Sequence, residues 1–478
     1  MSRVFAVKIA AALFVIGLYA VVGFQSPGYD DEFVNIQVVR IASSYADVVA
    51  IANRSDFHPP GQYLIDKFLF DLLGDWSWVR AVSAAIAAMT IVGVWLAAAD
   101  RRGFQPAFAW LVLCLNPALL LWCTGLRWYC PFVALLDLVL LILMKPPRRP
   151  LAYWGALLGG LLALFYVGYI ALIVAPIVLV VALHQRRATL VREWRVLAGV
   201  AVIAAALALP QLHILFSVHL RNADVQTIDM LTGLGVMALH LFSGQGAMPF
   251  SAFGLALAAA NLATFAIAAR HWRSLVRQPT ALVFGGSALA ILASGVGGKL
   301  HTLVTLSPLQ GLLQSAVYAR ASTAVTRGLL VTLFAVGNIG GVLNVATHSD
   351  TTKGGWNVPY PLALETFRTR TSTCASVTAV THDPVLAFHL GRQGNVITLE
   401  DEDWRDRVTA RSTDCLVAFQ TFRGSLSEAQ WLEYRVVIDS VPGRVSVDRL
   451  GHDPYATFKR RFDPDVPDDY ITMALFRR

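Results

Sequence analysis

Stretches of roughly twenty apolar residues, each long enough as a helix to cross about 30 Å of hydrocarbon, recur through the first three quarters of this 478-residue chain. They fall at about 4–24, 78–99, 104–121, 129–144, 151–167, 168–184, 196–215, 247–269, 280–296, 302–318 and 328–346. The pattern predicts a polytopic α-helical membrane protein with about eleven transmembrane helices. Composition agrees, because 56% hydrophobic and 15% charged residues at a mean hydropathy of +0.57 exceed what one soluble core could bury. Arg3 and Lys8 flank the first stretch in the manner of a secretory signal. It is longer than a signal's apolar core, and QSPGYDDE offers no small-x-small cleavage site, so it reads as a retained helix.

Basic residues of short loops mark the cytoplasmic side. DRRG (100–103), KPPRRP (145–150), HQRRATLVREWR (184–195), ARHWRSLVR (269–277) and YARASTAVTR (318–327) therefore face the cytoplasm. The acidic loop 25–76, the turn around WCTGLRWYC, the 216–246 segment, GVGGKLH (295–301) and everything after about residue 347 face the other side. Within 216–246, MLTGLGVMALHLFSG (230–244) is slightly short for a span and reads as an outer-face helix at the interface.

From residue 347 on there are 16 Lys and Arg against 18 Asp and Glu, a net −2; with +8 for the whole chain, the preceding part carries +10. The positives are dispersed over many loops, which argues against nucleic-acid binding. The chain thus divides into a membrane part, 1–346, and an extracytoplasmic part, 347–478. Short apolar runs in the latter, SVTAV (376–380), NVITL (395–399), CLVAFQ (415–420) and YRVVIDS (434–440), predict strands with intervening helices, a small α/β domain. Cys374 and Cys415 both fall there, where a disulfide can persist, although spacing alone does not pair them. No ligand-spaced Cys/His cluster suggests zinc.

Three consecutive acids, Asp30, Asp31 and Glu32, follow the first apolar stretch in SPGYDDEFVNIQ. Mutual repulsion favours a raised pKa on one of them and suits the cluster to accept a proton or hold a cation. The competing reading is a solvated loop start or an acidic helix N-terminus, since helical periodicity follows. Further on, in SDFHPPGQYLIDKFLFDLLGDWSWVRAVSA, Pro59-Pro60 fixes a rigid entry to an amphipathic helix and sets His58 just outside the membrane. His58 alone would more often be a surface or capping residue.

An acidic pair after the first span, then D-x-HPP-x-x-Y-L-x and LLGD…W-x-R-x-x-S, resembles the polyprenyl-phosphate-sugar glycosyltransferases of the GT-C fold. That group includes protein O-mannosyltransferases, aminoarabinose lipid A transferases and rhizobial lipopolysaccharide galacturonosyltransferases. LNPALLLWCTGLRWYCPFVALLDL (115–138) and LALFYVGYIALIVAP (162–176) are similar to later segments of the family, and KLHTLVTLSPLQGLLQSAVY (299–318) more weakly so. The resemblance covers roughly residues 1–345. The chain departs from it at Gly125, where relatives often carry an acid before the Arg, and at Lys299-Leu300-His301, where many have Arg-Tyr.

The resemblance implies that Asp31 is the general base, with Glu32 its neighbour and Asp30 a competing assignment. The base would take the acceptor hydroxyl's proton as that oxygen attacks the anomeric carbon and polyprenyl phosphate leaves, inverting the centre. The departing phosphate gains charge, and Arg127, Lys299, His301 and Arg221 are the cations available to it, with His58 and Tyr129 as further substrate contacts. Each cation has a competing reading as an interfacial, snorkelling side chain. Some relatives use a divalent metal near the acidic pair, which Asp31 and Glu32 could hold; no other cofactor is implied. The implied partners are a polyprenyl-phosphate sugar donor, membrane lipid, and a glycan, lipid or protein acceptor, with the site on the periplasmic side of the inner membrane. The competing class is a transporter without chemistry, for which internal repeats and charged mid-span helices would be expected, and the sequence shows no such repeat.

Overall fold

The computed structural model describes residues 3–477 apart from 27, 29, 56–57, 102–103, most of 220–240, 245, 249–250, 295–303, 350, 352–357, 392–394, 400, 402, 411–412, 422–427 and 453–468. The chain divides into two compact units, one of Met1–Ser26 with Asn35–Thr352, the other of Pro27–Val34 with Lys353–Arg478.

The first unit is helical. In chain order it contains α1 (Arg3–Gln25), most of α2 (Asp30–Ile41), α3 (Tyr45–Ser55), α4 (Gly61–Leu73), α5 (Trp76–Ala99), α6 (Pro106–Leu113), α7 (Pro117–Cys123), α8 (Tyr129–Met144), α9 (Pro150–Val167), α10 (Ala171–Arg186) and α11 (Leu190–Ile214). Then come α12 (Ala252–Arg270), the single turn α13 (Trp272–Leu275), α14 (Pro279–Ala293), α15 (Ser307–Tyr318) and α16 (Ala324–Ala346). Every apolar stretch read from the sequence coincides with one of these helices or with the α6–α7 pair. The expected eleven full spans do not carry over. Six helical segments among the described residues are long and apolar enough to cross a membrane, or seven if α6 and α7 form one bent span, while α8, α10 and α14 are apolar but shorter. Caps cut the apolar runs: Pro106 and the Asn116-Pro117 break divide the 104–121 run, and α14 ends at Ala293 inside the 280–296 run. The chain is nonetheless a multi-pass membrane protein.

Two devices shape this unit. Between α6 and α7 the axis bends by 45°. Asn116 closes the break by accepting the Ala118 and Leu119 amides at 2.9 and 3.3 Å, with Pro117 directly after it, so the sequence both stops one helix and starts the next. On the other side α16 carries Gly337, Gly340 and Gly341, and a Cβ at these positions would run into Leu257, Phe253 and Pro117 respectively. Small residues let helices approach closely where lipid supplies no hydrophobic drive. Beside this contact Asn261 of α12 donates to the Phe242 and Leu257 carbonyls and accepts from Gln310 and Gln314 of α15, an amide cluster that lines a cavity of about 30 Å³.

The second unit is an α/β sheet in the order β2-β1-β3-β5-β4, built from β1 (Val377–Thr381), β2 (Asn395–Thr398), β3 (Cys415–Thr421), β4 (Arg444–His452) and β5 (Asp469–Arg477). β1 pairs parallel with β2 and β3, and β5 runs antiparallel to β3 and β4. Helices α17 (Tyr360–Thr371), α18 (Pro384–Gly391), α19 (Trp404–Ala410) and α20 (Glu428–Ser440) complete it. The central strand β3 is buried along almost its whole length, as its unbroken CLVAF run requires. Cys374 and Cys415 form a disulfide. The segment YRVVIDS, read as a strand, instead lies inside α20: Tyr434 and Ile438, one helical turn apart, are buried, while Leu432 and Val436 are exposed. That is a 3.6-residue period, and the isolated VVI triplet gave no cue to it. The first turn of α2 also belongs here, because the Phe33 ring meets Phe388 of α18 edge-on at 4.9 Å.

Candidate active site

Three segments separated in sequence converge on buried polar side chains within the first unit. The first is α2, which starts at Asp30 so that the three acids occupy its opening turn, where the helix dipole favours negative charge. Glu32 is fully buried. The side chains of Asp30 and Asp31 lie outside the described residues. Asn35 follows one turn after Asp31 and is also buried.

The second segment is the HPP helix. Pro59 and Pro60 lead into α4, which ends at Gly74 in the left-handed region (φ 70°), where the Gly74 amide donates to the Phe70 carbonyl. The buried face of α4 consists of Gln62, Tyr63, Asp66 and Leu69, so a carboxylate sits on a stripe that would ordinarily be apolar. Gly61 explains how α4 docks: a Cβ there would collide with the Tyr166 carbonyl at the end of α9.

The third segment is the turn between α7 and α8, Thr124 to Trp128, which is buried throughout. Its Arg127 donates from Nη1 to Asn35 Oδ1 at 3.1 Å. Asn35 in turn donates from Nδ2 to Asp66 Oδ2 at 3.1 Å, and Gln62 donates from Nε2 to Asp66 Oδ1 at 2.6 Å. Aromatic rings pack on one another beside the arginine turn. His58 lies 5.8 Å from Trp128, Trp128 is 4.4 Å from Tyr129 and 5.5 Å from Phe132, and Trp122 meets Tyr129 edge-on at 4.7 Å. Gly168 admits the Trp128 ring, since a Cβ there would stand 2.8 Å from it.

Of the residues expected from the sequence, His58 and Tyr129 each meet the Trp128 ring, which follows Arg127 in the chain. Lys299, His301 and Arg221 lie outside the described residues. Asp66, Arg80 and Asp137 are buried charged groups near these segments that escaped the sequence reading. Asp66 was legible in principle as an acid on the core stripe of an amphipathic helix, with Gln62 at i−4. Arg80, in the first turns of apolar α5, donates to the Ser26 carbonyl at 3.4 Å, just before the acidic turn. Asp137 in α8 accepts from the Thr90 hydroxyl at 3.2 Å, and a carboxyl inside an apolar helix is itself a signal. Among the described residues one cluster of three metal-ligating types forms, Cys374, Asp414 and Cys415, and its two sulfurs are already joined in the disulfide.

No protein-family model matches the chain, and no curated protein matches it. Solved structures do. The crystal structure of ArnT from Cupriavidus metallidurans bound to undecaprenyl phosphate aligns with 98% of this chain and 97% of its own at a TM-score of 0.55 and 14% identity. The apo form of that protein aligns with 99% and 98% at a TM-score of 0.57 and 13% identity. The chain has the GT-C fold. A third structure, the arabinofuranosyltransferase AftD from Mycobacteria, covers the whole of this chain and 40% of its own at a TM-score of 0.46 and 15% identity, and the assignment of the GT-C fold rests on the ArnT pair. The near-complete coverage of the ArnT chains takes in the C-terminal sheet unit as well as the helices, so the GT-C resemblance read from residues 1–345 extends in structure over the full chain.

Proposed function

We propose that the protein is an inverting glycosyltransferase that moves a sugar from a polyprenyl-phosphate donor to an extracytoplasmic glycan or lipid acceptor. The observation that carries the proposal is the Asp66–Asn35–Arg127 array, a buried guanidinium bonded to the helix that opens with the three acids, on the fold of a protein crystallised with undecaprenyl phosphate. A lipid phosphate and a leaving phosphate both call for such a cation. We assign residues 1–346 as the catalytic membrane part and the remainder as an extracytoplasmic domain, in the inner membrane with the site on the periplasmic side.

Asp31 is the general base, with Asp30 the competing residue and Glu32 beside it. Its carboxylate takes the proton of the acceptor hydroxyl while that oxygen forms the new bond to the anomeric carbon. The bond from that carbon to the phosphate oxygen breaks, and polyprenyl phosphate departs with the electron pair. Arg127 stabilises the charge that builds on the phosphate, together with Lys299, His301 and Arg221. His58 and Tyr129 line the sugar. Asp31 and Glu32 are the carboxylates that would hold a divalent metal, which would draw charge from the departing phosphate, and no step here is routed through one.

Mass spectrometry of surface glycans, lipid A and the polyprenyl-phosphate-sugar pool, in a deletion strain rescued with wild type or Asp31→Asn, tests this reading. Loss of one sugar with accumulation of its donor, restored by wild type alone, is expected. A change confined to glycoproteins would shift the acceptor to protein. Rescue by Asp31→Asn, or unchanged glycans with a lipid stranded on one leaflet, would overturn it in favour of transport.

A further inference from the structure

Glu193 lies buried in the first turn of α11, although its neighbours Arg192 and Trp194 are exposed. Its Oε2 accepts the Trp154 indole N–H of α9 at 2.9 Å, and its Oε1 accepts Nη1 of Arg186, the last residue of α10, at 3.2 Å. Arg186 donates from Nη2 to the Pro147 carbonyl at 2.7 Å, and its guanidinium stands 4.3 Å from the centre of the Tyr153 ring. One ion pair thus ties the start of α9, the end of α10 and the start of α11 into a corner, and both its charges are used in doing so. Five further arginines surround this clamp. Arg148, Arg149, Arg187, Arg192 and Arg195 are exposed, and each stands within two places of Pro147, Arg186 or Glu193. None of the five makes an ion pair among the described residues. Glu193 is the one acid between residues 145 and 215, and Asp100 of the preceding loop is taken by Lys145 and Lys8. Like charges gathered on one corner repel, and an anion shared among them relieves that cost.

Apolar groups stand among these cations. Val191 and Trp194 are both more than half exposed, and the Arg195 guanidinium lies 5.6 Å from the centre of the Trp194 ring. The same face of α11 continues through Ala198, Val202, Ala205 and Leu209, three or four places apart and all exposed. α9 and α11 both belong to segments long and apolar enough to cross a membrane, and both begin here, so the corner lies at the depth of lipid headgroups. We propose that it binds an anionic glycerophospholipid, whose phosphate the arginines hold and whose acyl chain follows the exposed stripe of α11. A ligand charged at one end and apolar beyond it uses both halves of the surface, whereas a nucleic acid or a free phosphate would use only the arginines. Guanidinium forks suit a phosphate because each can offer it two parallel N–H donors. The site is separate from the one described above. The far end of α9 carries the Tyr166 carbonyl that meets Gly61, and the 18 residues of that helix set its ends about 27 Å apart.

Phosphatidylglycerol is the probe, supplied as a minor fraction of phosphatidylcholine nanodiscs around the full-length protein. Native mass spectrometry then counts the lipids that stay bound as detergent strips the rest. Wild type should retain phosphatidylglycerol in excess of its share. Arg192→Gln with Arg195→Gln should weaken that retention by about thirtyfold, the combined effect of two cations at an anionic surface. Arg148→Gln with Arg149→Gln carries the test if the first pair does not insert. Removing two exposed arginines from another basic loop, Arg270→Gln with Arg277→Gln, should leave retention unchanged. Glu193→Gln makes the corner more positive and should nonetheless weaken retention, because the three helix ends lose the pair that holds them together. Equal retention of phosphatidylcholine, an equal loss in the Arg270 and Arg277 variant, or stronger retention in Glu193→Gln would each show general surface attraction in place of a built site and overturn the proposal.

Discussion

Arg127 reaches Asn35 across 92 positions of sequence, donating from its guanidinium to the amide oxygen at 3.1 Å. That bond joins a turn between two apolar helices to a helix that begins with three acids. The two pieces look unrelated in the sequence, and each alone has an ordinary explanation as interfacial polarity. Joined, they set a buried guanidinium against a buried amide, a polar contact made away from water.

Replacing Asp31 by Asn should lower transfer by about 10²- to 10⁴-fold, the usual worth of a general base. Donor binding should be unaffected, because the amide keeps the shape of the carboxylate. Single-turnover transfer from labelled donor lipid, measured beside equilibrium binding, checks both halves, and a variant at full rate removes Asp31 from the role.

Gly61→Ala should damage the site without touching a polar group. The added methyl meets the Tyr166 carbonyl, which is backbone and cannot rotate away. The start of α4 must shift, at a cost of about 1–3 kcal/mol, and it takes Gln62 and Asp66 with it. Reduced thermal stability together with a raised donor KM is expected; stability and KM both equal to wild type would mean that α4 docks more loosely than described.

The second unit should lose stability on acidification through His382. Burial pushes this imidazole down from 6.5 to about 4, and its ring stands edge-on to Tyr434 at 5.6 Å. The unfolded chain therefore binds a proton that the folded one refuses, so stability is full above about pH 6.5 and falls progressively toward pH 4, by up to about 3 kcal/mol. Asp383 pulls the other way. Burial raises its carboxyl, so its contribution is present at low pH and lost as pH rises through the folded value. Calorimetry of the full chain between pH 4 and 7, following the second unit's transition, should show a shallower acid slope in His382→Asn; an unchanged slope would assign the loss to other groups.

Reduction should weaken the same unit. The disulfide closes a loop of sequence separation 41, for which loop-closure entropy gives about 4 kcal/mol. Cys374→Ser and reductant should lower the transition by the same amount and not add to each other; no effect of either would mean that the reduced chain keeps its two ends together unaided.

Hydropathy made the helical membrane part legible because every span must bury its backbone groups within itself. What the sequence withheld were helix ends, since Asn116-Pro117 sits inside a run whose average hydropathy never falls. In the second unit, β1, β2 and β3 were readable as short apolar runs. β4, whose RVSVDRLGH alternates with charge, and α20, whose apolar triplet imitated a strand, were not. At the site His58, Arg127 and Tyr129 were named from resemblance; His58 and Tyr129 each meet the Trp128 ring, next to Arg127 in the chain. Asn35 was missed because its importance lies in contacts spanning 31 and 92 positions, which no local pattern encodes, whereas Asp66 carried a local signal on the buried stripe of α4 that went unread.

Asn338 of α16 donates its side-chain amide to the Leu111 carbonyl at 2.9 Å, filling the end of α6 at the 45° break from a position 227 residues later. At the usual pace of synthesis, about 5–20 residues per second, the ribosome needs roughly 10 to 45 s to deliver that partner. The carbonyl at the end of α6 therefore gains this partner only after the last apolar helix of the first unit has been synthesised.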